Sequence, residues 1–226
     1  MTVSGARQLA ERRSFDLSLY LVTDPEQPGP RGLIPVVRAA LVGGITMLQL
    51  RDKDADDASY LETACALAPL ARAAGIPFLL NDRPHLVEAA DADGVHIGQD
   101  DVPPAEARAM TGPDRILGLS VETPALAAAI DPGLVDYAGI GPFAATTTKT
   151  DHKPPLGVEG MSAARAACPV PAVGIGGVGA SNAAAVLGTG VEGIAVVSAI
   201  CAAEDPEAAA AALLATVAQH RKGRGA

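Results

Sequence analysis

The chain has 226 residues, of which 49% are hydrophobic and 3% aromatic with no tryptophan, and its formal net charge is −9. This acidic balance argues against a general nucleic-acid or membrane partner, and the scarcity of aromatic rings argues against base stacking. The length suits one α/β barrel or two small domains.

The N-terminal region and the cysteines indicate the compartment. Residues 1–13 contain no apolar run ahead of a cleavage-like site, and every long apolar stretch is interrupted by polar residues or glycine. Cys65, Cys168 and Cys201 are far apart with no CxxC motif, as is typical of small buried residues in a reducing compartment. We expect a cytoplasmic protein in which residues 1–14 are a flexible segment and residues 15–222 form one domain.

Short apolar runs alternate with helical segments along the whole chain. The apolar runs predict strands over 17–24, 46–51, 77–80, 94–98, 116–120 and 134–141, from 171, and over 193–197. Helices are expected over 34–41, from Asp56 or Asp57 to Gly75, over 84–90, from Pro103, from Thr123, over 158–167, after a Ser181 cap, and from Asp205 to about His220. Such alternation predicts a parallel sheet, and its eight units fit a single-domain (β/α)8 TIM barrel.

A glycine-rich stretch, 171–182, joins the seventh apolar run to a helical pattern. Glycines at a strand–helix junction let backbone N–H groups approach an anion, so the stretch predicts a phosphate site. Gly174, Gly176 and Gly179 also match G-x-G-x-x-G. A dinucleotide fold would need an acidic residue at the end of the next strand, whereas Glu192 precedes that strand. The barrel, whose phosphate site commonly follows strands seven and eight, is the better interpretation.

Cationic and amide side chains follow the second strand. Gln49, Arg51 and Lys53 alternate there, so in extended chain their side chains point the same way. A planar guanidinium beside an ammonium suits phosphate or diphosphate binding. The alternative is an ordinary solvated loop.

Two carboxylates follow the third and fourth strands, which are neighbours in a barrel. Asp82 and Asp101 facing one pocket would suit Mg²⁺, which takes few protein ligands and completes its shell with water and substrate phosphates. Each could instead be a helix N-cap, and Asp100 competes for the role of Asp101.

Three further features lie near strand ends. His96 lies within an apolar strand, where histidine is more often a satisfied core residue than a catalyst. Ser120 ends the fifth strand without a G-x-S-x-G elbow, so we expect it to donate a hydrogen bond to an anion rather than act as a nucleophile. The long loop 142–157 carries Thr146, Thr147, Thr148 and Lys149, which suit phosphate contact, although a surface loop is the alternative.

Taken in order, these motifs resemble the thiamine-phosphate synthase family. The resemblance covers about residues 17–205 and rests on 20–24 (YLVTD), 49–53 (QLRDK), Asn81–Asp82, 94–101 (GVHIGQDD), 118–120 (GLS), Gly141–Pro142 with Thr146, Thr148 and Lys149, 174–177 (GIGG) and Val197–Ser198. It implies a TIM barrel that joins an aminopyrimidine diphosphate to a hydroxyethylthiazole phosphate, releasing diphosphate and giving thiamine phosphate.

The resemblance also assigns residues. It implies that the span Gln49, Leu50, Arg51, Asp52 and Lys53, together with Asn81, Ser120 and Lys149, holds the pyrimidine diphosphate, with Arg51, Lys53, Ser120 and Lys149 as the catalytic set. Asp82 and Asp101 would bind Mg²⁺. Thr146, Thr147, Thr148, Gly177, Val197 and Ser198 would hold the thiazole phosphate. The implied partners are these small molecules, and a homo-oligomer stays open.

Two positions depart from the family pattern. Glu122 stands where the family's serine motif commonly continues to a histidine, and Ala145 stands where proline usually precedes the first threonine. A related thiazole tautomerase uses that histidine, so Glu122 favours the synthase over the tautomerase. A non-catalytic barrel that senses thiamine precursors is the alternative of another class, because the fold by itself does not fix the function.

Overall fold

The structure is a computed structural model that describes residues 15–145 and 154–224. Within these residues eight parallel strands close into a barrel in chain order, and β1 pairs with both β2 and β8. The strands are β1 (Leu19–Val22), β2 (Met47–Leu50), β3 (Phe78–Asn81), β4 (Gly94–Ile97), β5 (Ile116–Val121), β6 (Tyr137–Ile140), β7 (Ala172–Gly174) and β8 (Gly193–Val196). The predicted single-domain (β/α)8 barrel is confirmed. The prediction that residues 1–14 are flexible lies outside the described residues.

Helices surround the barrel and cover the outer face of the strands. They are α1 (Leu33–Val42), α2 (Asp57–Ala74), α3 (Pro104–Thr111), α4 (Pro124–Ala128), α5 (Gly157–Ala167), α6 (Ala183–Gly188), α7 (Ser198–Cys201) and α8 (Pro206–Arg224), with 3₁₀ turns at Gly29–Arg31 and Pro84–Leu86. None of the helices in the described part combines the length and apolar character of a membrane span.

Several helix starts follow the capping rules that the sequence predicts. Asp56 accepts a hydrogen bond from the Ser59 amide, and α2 ends at Gly75, whose left-handed φ of 70° closes the helix. Thr123 caps α4, and Asp205 accepts from the Ala208 amide at the start of α8. These caps fix the residues at which the helices begin or end, and therefore the length of the loops that connect them to the neighbouring strands.

Two helix predictions are wrong. The segment 84–90 forms only the 3₁₀ turn Pro84–Leu86 and then further turns, ending at Asp91 with a left-handed φ of 49°. Ser181 does not cap α6, because the Asn182 side chain accepts from the Gly179 amide and donates to the Gly177 carbonyl, which holds the chain in a turn until Ala183.

The buried side chains form two layers. The larger layer lies between the strands and the helices and contains Leu50, Tyr60 and Leu80. The smaller layer fills the barrel interior and includes Tyr20, Met47, Tyr137 and Val173. Side chains alternate between the layers along each strand because successive strand residues point to opposite faces. Polar residues on the inward face therefore converge at the carboxyl end of the barrel.

The cysteines divide between the layers and the surface. Cys168 and Cys201 are buried, as the sequence predicts, but Cys65 is exposed. The prediction was wrong for Cys65 because it lies on the outer face of α2, away from the buried stripe that contains Ala64 and Leu67.

Candidate active site

A pocket with a volume of about 110 Å³ opens at the carboxyl ends of the strands. One wall comes from the ends of β2 to β5 and the other from the turns after β7 and β8. The lining includes Gln49, Arg51, Asn81, His96, Ser120 and Glu122 on the first wall and Gly176, Gly177, Val178, Val197 and Ser198 on the second. The structure therefore brings seven of the predicted ligand-binding residues into one concave site: Gln49, Arg51, Asn81, Ser120, Gly177, Val197 and Ser198.

The first wall is held by hydrogen bonds between neighbouring strand ends. The buried Thr23 hydroxyl accepts from the Arg51 amide at 2.9 Å, and the Thr23 amide donates to the Gln49 carbonyl at 2.9 Å. Tyr60 donates to the Leu50 carbonyl at 2.6 Å and accepts from the Asn81 amide at 2.9 Å. These bonds fix the backbone that presents Arg51 and Asn81 to the pocket.

Arg51 is the cation of this wall. Its Nε atom is buried and has no hydrogen-bond partner among the described residues. Leaving a buried N–H donor without an acceptor is costly, so such a group is typical of a site whose acceptor is a ligand. The side chain therefore suits an anion bound in the pocket.

The rest of the 49–53 span takes different positions. The Leu50 side chain lies in the layer between the strands and the helices, which leaves only its backbone for the predicted contact with a ligand. Asp52 accepts from the amides of Asp54 and Ala55, which shapes the loop. Lys53 is 51% exposed, and its Nζ lies 3.8 Å from Asp82 Oδ2.

Asp82 and Asp101 lie close together after the ends of β3 and β4. Burial first, and the Asp101 carboxyl second, raise the pKa of Asp82 to about 6. Asp82 also adopts a left-handed φ of 60°, an unfavourable conformation for a residue with a Cβ. Its backbone is held there by donation to the His96 carbonyl at 2.9 Å.

This arrangement corrects the N-cap alternative for both carboxylates. The turn after Asp82 has Arg83 at its N-cap, and α3 has Pro103. Asp101 instead accepts from the Gly98 amide at 2.7 Å. Two adjoining carboxylates of which one is partly buried fit a divalent cation, because a cation offsets their mutual repulsion. Among the described residues no group of three or more His, Cys, Asp or Glu side chains could hold a metal ion.

The second wall is built from the glycine-rich stretch. Gly176 and Gly177 have left-handed φ values of 87° and 68°, and the Gly176 carbonyl accepts from the amides of Phe143 and Ala144. The turn thus packs against the start of the 142–157 loop. Thr146, Thr147, Thr148 and Lys149 lie outside the described residues, so their predicted part in the site stays a prediction.

The sequence did not predict the role of two buried tyrosines of the barrel interior. Tyr20 and Tyr137 lie inside the barrel with hydroxyl oxygens 2.8 Å apart, and Tyr137 lies 2.8 Å from His96 Nδ1. His96 Nε2 in turn lies 2.8 Å from Ser120 Oγ. His96 is therefore a buried, hydrogen-bonded histidine, as predicted. The available signal for the tyrosines was the inward register of their strands, which places each of them two residues before a residue that lines the pocket.

Comparison with known proteins gives consistent results. A family model described as thiamine monophosphate synthase matches residues 19–200. Thiamine-phosphate synthase from Xanthobacter autotrophicus is 53% identical over 205 residues, covering 91% of this chain and 97% of that protein. The one from Azorhizobium caulinodans is 48% identical over 208 residues, covering 92% and 98%. Among solved structures, thiamine phosphate pyrophosphorylase from Pyrococcus furiosus matches with a TM-score of 0.81 and 35% identity, covering 90% of this chain and 96% of that chain.

Proposed function

The chain belongs to the thiamine monophosphate synthase family, and from that premise we propose that it is a transferase joining two phosphorylated rings. The substrates are 4-amino-2-methyl-5-hydroxymethylpyrimidine diphosphate and hydroxyethylthiazole phosphate, and the products are thiamine phosphate and diphosphate. The observation that carries the proposal is the pocket: Arg51, whose buried Nε has no hydrogen-bond partner within the described part of the chain, lines the same cavity as the glycine turn.

The proposed reaction begins at the pyrimidine's methylene carbon. Its C–O bond breaks, diphosphate leaves with the electron pair, and the electron-rich aminopyrimidine stabilises the cation. The thiazole nitrogen then forms the new C–N bond with its own lone pair. The protein therefore needs no nucleophile and no general base, and its work is positioning and charge compensation.

The first wall of the pocket serves the pyrimidine diphosphate. Arg51, Lys53 and Lys149 offset the negative charge that grows on the leaving diphosphate. Gln49, Asn81 and Ser120 orient the ring and the phosphates, while Leu50 and Asp52 contribute through their backbone and the loop shape. Asp82 and Asp101 would hold Mg²⁺, which supplies further charge compensation to a bound diphosphate.

The second wall serves the thiazole phosphate. Gly177, Val197 and Ser198 present a turn and a strand end to the pocket, with small residues that let a phosphate approach the backbone. Thr146, Thr147 and Thr148 supply hydroxyl donors from the neighbouring loop. Holding the thiazole by its phosphate places its nitrogen against the pyrimidine carbon, which converts an encounter of two molecules into a step within one complex.

Incubation of the purified chain with both precursors and Mg²⁺ tests the proposal. Mass spectrometry is expected to detect thiamine phosphate, and Arg51→Ala is expected to reduce its rate at least tenfold, since a charge-assisted contact is lost. A folded wild-type protein that yields no thiamine phosphate from intact precursors would refute the proposal. Conversion of the thiazole phosphate alone into an isomer would favour the tautomerase instead.

A further inference from the structure

A chain of buried hydrogen bonds crosses the barrel interior and joins two of the residues proposed to bind the substrate. It begins at the side-chain amide nitrogen of Gln49 on β2, which donates to the Tyr20 hydroxyl, and continues to the Tyr137 hydroxyl. From there it passes through the His96 ring to the Ser120 hydroxyl on β5. Gln49, Tyr20, Tyr137 and His96 are at most 8% exposed. Gln49 and Ser120, the two ends, line the pocket.

The inner barrel is shaped to hold this chain. A Cβ atom on Gly118 would lie 2.2 Å from Tyr137 Cζ, and one on Gly139 would lie 3.2 Å from His96 Cε1. Glycine at both positions therefore leaves the space that the two rings occupy. The Tyr137 ring also packs against Tyr20 at 5.9 Å and His96 at 5.5 Å between centroids.

The direction of the hydrogen bonds follows from counting hydrogens. Burial raises the pKa of both Tyr20 and Tyr137, so each hydroxyl keeps one hydrogen to donate. The Gln49 amide nitrogen can only donate, so Tyr20 accepts from it and is free to donate onward to Tyr137. Tyr137 then donates to His96 Nδ1, and the remaining ring hydrogen is on Nε2, which faces Ser120.

If the hydrogen bonds ran in the opposite direction, one hydroxyl hydrogen would have no acceptor within this set of hydrogen-bonded side chains. If His96 Nδ1 carried the hydrogen, Tyr137 would accept from it and donate to Tyr20. Tyr20 would then accept from both Gln49 and Tyr137, and its own hydroxyl hydrogen would have no acceptor among these hydrogen-bonded side chains. A buried donor in that state is unfavourable, so the orientation of Gln49 selects one histidine tautomer.

We propose that Tyr20, Tyr137 and His96 are positioning residues that fix His96 as the Nε2–H tautomer and make Ser120 a permanent hydrogen-bond donor to the ligand. His96 donates to Ser120 Oγ, so the serine's own hydrogen points away from the ring and into the pocket. The His96–Ser120 distance of 2.8 Å also suits a nucleophile and its base, but the direction of the chain assigns the opposite role to the histidine. The identity of the ligand as the pyrimidine diphosphate rests on the proposed function.

The tautomer can be measured directly by nitrogen NMR on the substrate-free protein. A His85→Gln, His152→Gln and His220→Gln triple variant retains His96 as its single histidine. Two-bond ¹H–¹⁵N correlation is expected to show a protonated Nε2 and an unprotonated Nδ1. A protonated Nδ1, whether in the other tautomer or in the imidazolium, overturns the inference. Because no substrate is needed, this result is independent of whether the chain makes thiamine phosphate.

Tyr137→Phe tests whether the hydrogen-bond chain affects substrate binding. Tyr60→Phe is the control, because it also removes a buried hydroxyl but one that does not belong to the hydrogen-bond chain. Tyr137→Phe is expected to give mixed His96 tautomers and to raise KM for the pyrimidine diphosphate about tenfold, with KM for the thiazole phosphate unchanged. Tyr60→Phe is expected to keep the wild-type tautomer. A Tyr137→Phe protein with the wild-type tautomer and an unchanged KM for the pyrimidine diphosphate contradicts the proposal, as does an equal rise in both KM values.

Discussion

At the scale of single residues, the barrel interior is set by glycines as much as by large side chains. Gly118 lies on β5 opposite Tyr137, and a methyl group there would lie 2.4 Å from the tyrosine hydroxyl oxygen. Protein interiors are close-packed, so the tyrosine ring cannot move away from such a methyl group without displacing its neighbours. The tyrosine that joins Tyr20 to His96 is therefore possible only because residue 118 has no side chain.

Gly118→Ala is expected to destabilise the protein by about 1–3 kcal/mol, the typical cost of overpacking a core. The measurement is urea unfolding followed by circular dichroism. Gly188→Ala is the control, because a Cβ on Gly188, the last residue of α6, meets nothing within 4 Å. It should leave stability unchanged or raise it by up to about 1 kcal/mol. Equal effects of the two substitutions would contradict the packing argument.

Thiol reactivity is also set residue by residue. Burial raises the pKa of Cys201 to about 12 and also raises the pKa of Cys168, so neither forms the reactive thiolate readily at neutral pH. Cys65 is exposed. A disulfide reagent such as DTNB is expected to modify Cys65 alone in the native protein and all three cysteines after denaturation. Labelling of Cys201 in the native state at the rate of Cys65 is the result that would disagree.

At the scale of elements, the turn after β7 and the start of the 142–157 loop form one unit. The Gly177 Cβ position lies 2.9 Å from the carbonyl oxygens of both Ala144 and Ala145. Gly177 also has a left-handed φ of 68°, so a side chain there is disfavoured by both backbone conformation and space. We infer that the glycine keeps the turn close to the loop that carries the threonines.

Gly177→Ala is expected to raise KM for the thiazole phosphate about tenfold, equivalent to about 1.4 kcal/mol, with a smaller effect on KM for the pyrimidine diphosphate. The reason is that the turn must move away from Ala144 and Ala145. Gly75→Ala provides the control, since Gly75 has a similar φ of 70° but open space around it, far from the pocket. Gly75→Ala should lose about 1 kcal/mol of stability through its φ alone and Gly177→Ala at least as much, and only Gly177→Ala should change KM. Steady-state kinetics that shift KM equally in both variants would speak against a phosphate site at the turn.

At the scale of the whole molecule, the sequence predicted the parts that depend on local pattern. Alternating apolar and helical segments predicted the closed barrel, and the polar residues after β2, β3 and β5 predicted one wall of the pocket. What the sequence did not reveal depends on contacts between distant strands. The Tyr20–Tyr137 hydrogen bond joins residues 117 positions apart, and Asn182 replaced Ser181 as the helix start because of a turn that its own side chain stabilises.

Asp82 and Asp101, the proposed Mg²⁺ ligands, are expected to lower the stability of the metal-free protein. Two adjoining carboxylates repel each other, and burial raises the cost of charging Asp82. Without Mg²⁺ at neutral pH, Asp82→Asn is therefore expected to raise stability by about 1 kcal/mol. Excess Mg²⁺ is expected to raise the Tm of the wild type but not of Asp82→Asn.

Asp54→Asn is the control for this prediction, because it makes the same chemical change at an exposed position of the neighbouring loop. Thermal unfolding of the control should follow the wild type with and without Mg²⁺. An Asp82→Asn protein that still gains stability from Mg²⁺, by as much as the wild type does, would remove this carboxylate from the metal site.

The central claim is that one pocket holds both phosphorylated rings and joins them. The most direct measurement follows diphosphate and thiamine phosphate together in a time course with Mg²⁺, with each precursor omitted in turn. The account predicts that both products appear in equal amounts and only when both precursors are present. Release of diphosphate without thiamine phosphate, or any change in the thiazole phosphate when the pyrimidine diphosphate is absent, would contradict it.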